Sequence, residues 1–180
     1  MNIRPIGGIF WKLDASGNLT AFDPSGTVIG KFIGGIFYAK GSLGTTSQNT
    51  ALTSTTSTTG VSSGFNNVIT FQFTGRAWVN FIAINCNNNT ASDGGELAVA
   101  YNTGNNPVSG GSAIAGTFPA QLVAAFVNNA STAGFQTTMQ VAALVTGLTV
   151  GTTYTFTIRC RAITGGTFSF GINDFEIEEL

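Results

Sequence analysis

The stretch "TYTFTIRCRA", residues 153–162, places an apolar side chain at every second position. Tyr154, Phe156, Ile158, Cys160 and Ala162 fall on one side; Thr153, Thr155, Thr157, Arg159 and Arg161 fall on the other. Successive side chains leave a strand in opposite directions, so a period of two marks a strand with one face in a core. The period returns throughout residues 65–180. "VITFQF" aligns Ile69, Phe71 and Phe73, "ELAVAY" aligns Leu97, Val99 and Tyr101, and "FQTTMQVAALV" aligns Phe135, Met139, Val141, Ala143 and Val145. "AWVNFIAINC" and "FPAQLVAAFV" are apolar on both sides, as strands covered on both faces are. In "TFSFGINDFEIEEL" the phase runs through Phe168, Phe170 and Ile172, then resumes at Phe175 and Ile177. That odd step predicts a bulge near Asn173 and Asp174. Strands joined by Gly- and Asn-rich turns, with no amphipathic helix between them, predict an all-β fold. The architecture expected is an antiparallel jelly-roll β-sandwich with an N-terminal β-hairpin or arm extension.

Charge is scarce and uneven. Charged residues make up 8% of the 180, against roughly a quarter in an average soluble domain. Between residues 41 and 158 the charges are Arg76, Asp93 and Glu96 alone. A net charge of −1 without clustered Lys or Arg argues against a nucleic-acid partner. No apolar run approaches the roughly 18 residues of a membrane span. The opening "MNIRPIGGIFWKL" has no apolar stretch of signal-peptide type, so synthesis in a cytoplasm is expected. Cys86 and Cys160 then read as reduced thiols buried in strands.

Residues 1–40 differ from the rest. "IGGIF" occurs at residues 6–10 and again at 33–37, each time followed by an aromatic residue and closed by a lysine. "DASGN" and "DPSG" lie between the copies and are turn sequences. The region reads as a small β-meander with strands at 9–13, 19–22 and 27–38. Asp14, Ser16 and Asn18 have the spacing that begins a calcium loop. The remainder of that motif is missing, so no metal site is read here. Residues 41–64 are rich in Thr and Ser and carry no charge, which suggests a tether. Their threonines equally suit an extended strand laid on another protein.

The chain has no histidine, which removes the commonest general base and the usual nucleophile triads. Asp174, Glu176, Glu178 and Glu179 form the one acidic cluster. On a terminal edge strand, solvation and protection from unwanted pairing explain such charges. The Asn clusters at 85–89 and 101–107 read as turn chemistry and Trp78 as a core residue, against a sugar surface with Trp78 as stacking platform. No cofactor is expected, and the chain does not read as an enzyme.

The segment "VTGLTVGTTYTFTIRCRAITGGTFSFGINDFEIEEL" resembles the C-terminal half of jelly-roll domains in tailed-phage structural proteins, those of TNF/C1q-like topology being nearest. The likeness lies in a "GL..G..Y.F" lead-in, the alternating strand, a "GGT" hairpin and a closing strand ending in "EL". It spans residues 65–180. Glu178 and Glu179 depart from it, because family domains often carry apolar residues there. The resemblance implies a homotrimer on the virion surface, serving as capsid cement or as a fibre tip. On the cement reading, residues 1–40 dock on the major capsid protein, residues 41–64 tether them, and residues 65–180 trimerise; the alternative for residues 1–40 is a hairpin packed on the sandwich of the same chain. The duplicated "IGGIF" segment is too small to fold alone, but laid on a partner it adds strands and fills pockets. The docking residues expected are Ile6, Ile9, Phe10, Trp11, Lys12, Ile33, Ile36, Phe37, Tyr38 and Lys40. The trimer interface is expected at Trp78, Phe81, Ile82 and Phe126.

Overall fold

The computed structural model describes residues 2–3, 8–13, 17–105, 112–113, 124–127 and 136–180, which form fourteen β-strands and no helix. The strands are β1 (Asn2–Ile3), β2 (Phe10–Leu13), β3 (Leu19–Phe22), β4 (Val28–Ile33), β5 (Ile36–Ala39), β6 (Gly44–Thr55) and β7 (Val61–Thr70). They continue with β8 (Arg76–Asn88), β9 (Gly94–Thr103), β10 (Ser112–Ala113), β11 (Ala124–Val127), β12 (Thr137–Thr146), β13 (Thr153–Ala162) and β14 (Phe168–Glu179).

The first five strands form an antiparallel meander in chain order. Where one strand is expected over 27–38, the structure has two. Gly34 and Gly35 turn β4 into β5, with φ of 56° and 84° and Ile33 paired to Ile36. Two successive positive φ values are what a two-residue type I′ hairpin requires, and glycine adopts them without strain.

The remaining strands make two facing sheets, ordered β12-β8-β14-β6 and β10-β9-β13-β7, with β11 also on β9. Setting aside the two-residue β10, the ladders join first strand to last (β6 with β14), second to seventh (β7 with β13) and third to sixth (β8 with β12). Third also joins last (β8 with β14), and fourth joins both fifth and seventh (β9 with β11 and β13). That is the connectivity of a double Greek key rolled on itself, the jelly roll.

Two expectations are corrected by this order. The Thr/Ser-rich stretch is not a free tether: it carries β6 and the start of β7, so the sandwich begins at Gly44 rather than residue 65. Threonine is β-branched and suits a pleated strand. The last strand, expected at an edge, lies between β8 and β6. The bulge expected near Asn173 is present, since the β14 register shifts between Ile172 and Phe175 against β6 and between Ile172 and Asp174 against β8. The buried Asn67 amide spans to this point and donates to the Phe175 carbonyl at 2.6 Å.

The core lies between the two sheets. Phe71, Phe81, Phe156, Phe168, Phe170 and Phe175 are fully enclosed there, and the Phe81 and Phe175 rings meet edge to face at 6.4 Å. Phe81, expected from sequence at the trimer interface, is instead enclosed in this core. On β8 it shares its phase with Val79 and Ala83, which also point inward.

Candidate docking surfaces

The meander builds a surface of unusual composition. Cross-strand register puts Lys12, Thr20, Lys31 and Tyr38 in one row across it. On the other face Trp11, Phe32 and Phe37 form a triangle of rings, with centroids 5.2 to 5.9 Å apart. Each such ring pair stabilises by about 0.5–1.5 kcal/mol beyond burial. Phe37 crowds Gly30, where an added Cβ would come within 2.3 Å of the ring. Even so, large apolar side chains remain in solvent: Phe10 is 39% exposed, Leu13 52%, Ile36 59% and Phe37 43%.

Lys31 attaches the meander to the sandwich. Its Nζ donates to the Gln72 carbonyl and stands 5.6 Å from the centre of the Phe73 ring. An open groove of about 320 Å³ follows the junction, walled by Ile33 and Tyr38 on one side and Val68, Ile69 and Thr70 on the other.

The loop that receives Lys31 is shaped by Glu179. This carboxylate is completely buried. It accepts backbone N–H bonds from Gln72 at 2.8 Å, Phe73 at 2.7 Å and Thr74 at 2.5 Å. A buried charge is tolerated when donors surround it in this way. Glu179 thus stands apart from the solvated acidic cluster expected from sequence. The signal that separates it is its phase, because it continues the inward series Phe175 and Ile177.

The outer face of the β12-β8-β14-β6 sheet is the second surface. Register sets Leu144 beside Trp78 and Trp78 beside Glu178. The next row sets Ala142 beside Asn80 and Asn80 beside Glu176, and the one after sets Gln140 beside Ile82 and Ile82 beside Asp174. Leu144, Trp78, Ala142 and Ile82 thus lie on one side of the three acids, with Gln140 donating to Asn80 at 3.0 Å among them. Trp78 is 39% and Leu144 46% exposed, so Trp78 is not the core residue expected. Asp174, Glu176 and Glu178 are half-exposed and form no ion pair among the described residues. Beside them, Gly44 leaves an open pocket of about 240 Å³ lined by Ser42, Thr46, Glu176 and Glu178.

The asparagines at the far end of β8 bind the protein to itself. Asn88 Nδ2 donates to the carbonyls of Gly94 at 2.9 Å and Gly165 at 3.0 Å. Asn89 Oδ1 accepts from the Thr167 N–H at 2.8 Å. Buried Asp93 accepts from the N–H groups of Gly94 at 2.7 Å and Thr164 at 3.0 Å. Burial works to raise its pKa, but bonds from Thr164, Gly94 and Gly165 outweigh this and hold it below the usual value. These contacts tie the β8–β9 turn to the β13–β14 connection, which crosses between the two sheets rather than forming the hairpin expected of "GGT". Both thiols are inert by environment, since burial pushes Cys86 and Cys160 up to about 12. Among the described residues, no three His, Cys, Asp or Glu side chains are grouped to hold a metal.

Of the docking residues expected, Phe10, Trp11 and Lys12 lie on β2, Ile9 precedes it, Ile33 ends β4, Ile36, Phe37 and Tyr38 lie on β5, and Lys40 follows it. Ile6 lies outside the described residues, as do Asp14, Ser16 and Phe135. Of the interface residues expected, Trp78 and Ile82 share the outer face, and Phe126 pairs with Gly95 through its backbone. Leu144 was not anticipated, although it stands out of phase with its inward neighbours Val141 and Val145.

No family model and no curated protein sequence matches this chain. Among solved structures, it is similar to the infectious bursal disease virus VP2 subviral particle at 12% identity and a TM-score of 0.40, covering 98% of this chain and 37% of that one. It is likewise similar to the structure of the Gx strain of infectious bursal disease virus at 14% identity and a TM-score of 0.42, covering 90% of this chain and 41% of that one. The chain thus spans less than half the length of either. The jelly-roll assignment rests on strand order and does not draw on these likenesses.

Proposed function

We propose that this chain is a structural protein of a virus particle, a homo-oligomer that joins neighbouring subunits of a shell. The finer reading is a trimeric cement protein on the outside of a bacteriophage head, bound to its lattice of major capsid protein. The observation that carries the proposal is the set of solvent-facing anchors on the meander: Phe10, Leu13, Ile36 and Phe37. A chain so poor in charge gains little by leaving such residues in water and much by covering them with a partner.

Jelly rolls serve viral shells, lectins and cupins alike, so the fold does not choose among them. The sites favour the first. A sugar site would bring an aromatic platform to the asparagines, but Trp78 and Asn88 lie ten residues apart along β8, roughly 33 Å. Asn88 and Asn89 are moreover occupied in holding turns. A metal-centred enzyme would need ligands, and the chain has no histidine.

The test is to mix the purified chain with stripped phage shells and sediment them. Co-sedimentation and a rise in the shells' melting temperature are expected. Ile36→Ala with Phe37→Ala should weaken binding roughly 30-fold or more, the usual cost of truncating central anchors. No binding by the intact chain overturns the proposal. Depletion by host cells instead would put the chain at a fibre tip.

A further inference from the structure

The outer sheet face has the opposite character to the meander. We propose that it is the receptor for the meander of a second copy of this chain, so that copies join head to tail. The inference rests on reading the meander as a docking element; it gives the side that carries Phe10, Lys12 and Ile36 to a second copy and leaves Leu13 and Phe37, on the opposite side, to the shell.

The argument is complementarity on both counts. The meander presents exposed Phe10 and Ile36 together with Lys12 and Lys40, neither of which has an ion-pair partner among the described residues. The sheet face presents Trp78 and Leu144 beside Glu176 and Glu178, which lack partners in the same sense. Aliphatic and aromatic anchors would settle on Trp78 and Leu144. A lysine would enter the open pocket beside Gly44, whose wall carries both glutamates. Within one copy Lys31 is held by Gln72 and Phe73, whereas Lys12 and Lys40 are exposed. The two surfaces differ, so the contact is heterologous. Such contacts close into a ring when the rotation allows, and three copies in a ring would be a homotrimer. Repulsion between like surfaces disfavours the symmetric alternatives, meander on meander or sheet on sheet.

The test is sedimentation velocity on the full chain, with no shells present, at low and at high salt. A salt-weakened oligomer is expected, because exposed charge pairs are screened. Glu176→Lys with Glu178→Lys should weaken association about tenfold or more, as should Lys12→Glu with Lys40→Glu. All four changes together should restore it. Trp78→Ala with Leu144→Ala should weaken it similarly, while the melting temperature of the isolated chain stays put, because both side chains point away from the core. A chain that stays monomeric, or an oligomer indifferent to both charge reversals, overturns the inference. Failure here with intact shell binding removes the self-contact alone. Self-association without shell binding removes the virion reading alone.

Discussion

Glu179 shows how one residue can hold two parts of a protein together. Its carboxylate bonds three successive N–H groups of the 72–74 loop, and that loop supplies the carbonyl and ring that receive Lys31. Truncation leaves those donors without partners in a buried site, at about 1–3 kcal/mol each when nothing replaces the bond. Glu179→Ala should therefore cost on the order of 3 kcal/mol or more in a urea titration, and Glu179→Gln, which keeps one oxygen, distinctly less. Hydrogen exchange in β4 should quicken in the alanine variant, because the dock for Lys31 goes with the loop. A variant as stable as the parent would show that the carboxylate is dispensable. The role was legible in principle. Phe175 and Ile177 set an inward phase that Glu179 continues, and an acid in that phase needs donors. Proximity to Asp174, Glu176 and Glu178 masked it, although those three alternate outward.

Among elements, the strands easiest to read were those with a Phe, Ile or Val at every second position, such as β13. The unreadable one was β6. Its half-buried positions are Thr45, Ser47, Thr53 and Thr55, so its alternation holds no apolar signal. Its place in the fold also depends on pairing with β14, more than a hundred residues away, which no local pattern encodes. The Gly34-Gly35 hairpin was available to a closer reading, since a glycine pair between two apolar runs is a hairpin signal. The docking surfaces were half visible. The meander anchors follow from the repeat, whereas the outer sheet face depends on which strands lie side by side. A fragment test separates the two domain boundaries. Residues 41–180 keep every jelly-roll strand and should melt cooperatively. Residues 65–180 lose β6 and part of β7, expose the flank of β14, and should give no cooperative transition by circular dichroism. If the shorter fragment folds as well as the longer, β6 is an accessory and the tether reading returns.

At the scale of the whole molecule, the balance of seven basic and eight acidic residues leaves little net charge at any mild pH. With an isoelectric point near 5.1 and apolar anchors in solvent, solubility should pass through a broad minimum around that pH. Turbidity across a pH series checks this, and a flat profile would mean the anchors are already covered by self-association. Strand order has a further consequence, one of timing. The sheet β12-β8-β14-β6 is knitted together by its last strand, which enters between two strands made much earlier. While a ribosome is still extending the chain, β6 has no neighbour on which to pair, and β8 lacks one flank. The nascent sandwich must wait, its phenylalanines uncovered, until residue 179 emerges. Non-local closure of this kind is slow and exposes the chain to aggregation. Assembly into any larger particle then begins only once β14 is in place, because a chain without it has neither the Trp78–Glu178 row nor the carboxylate that shapes the loop seating the meander.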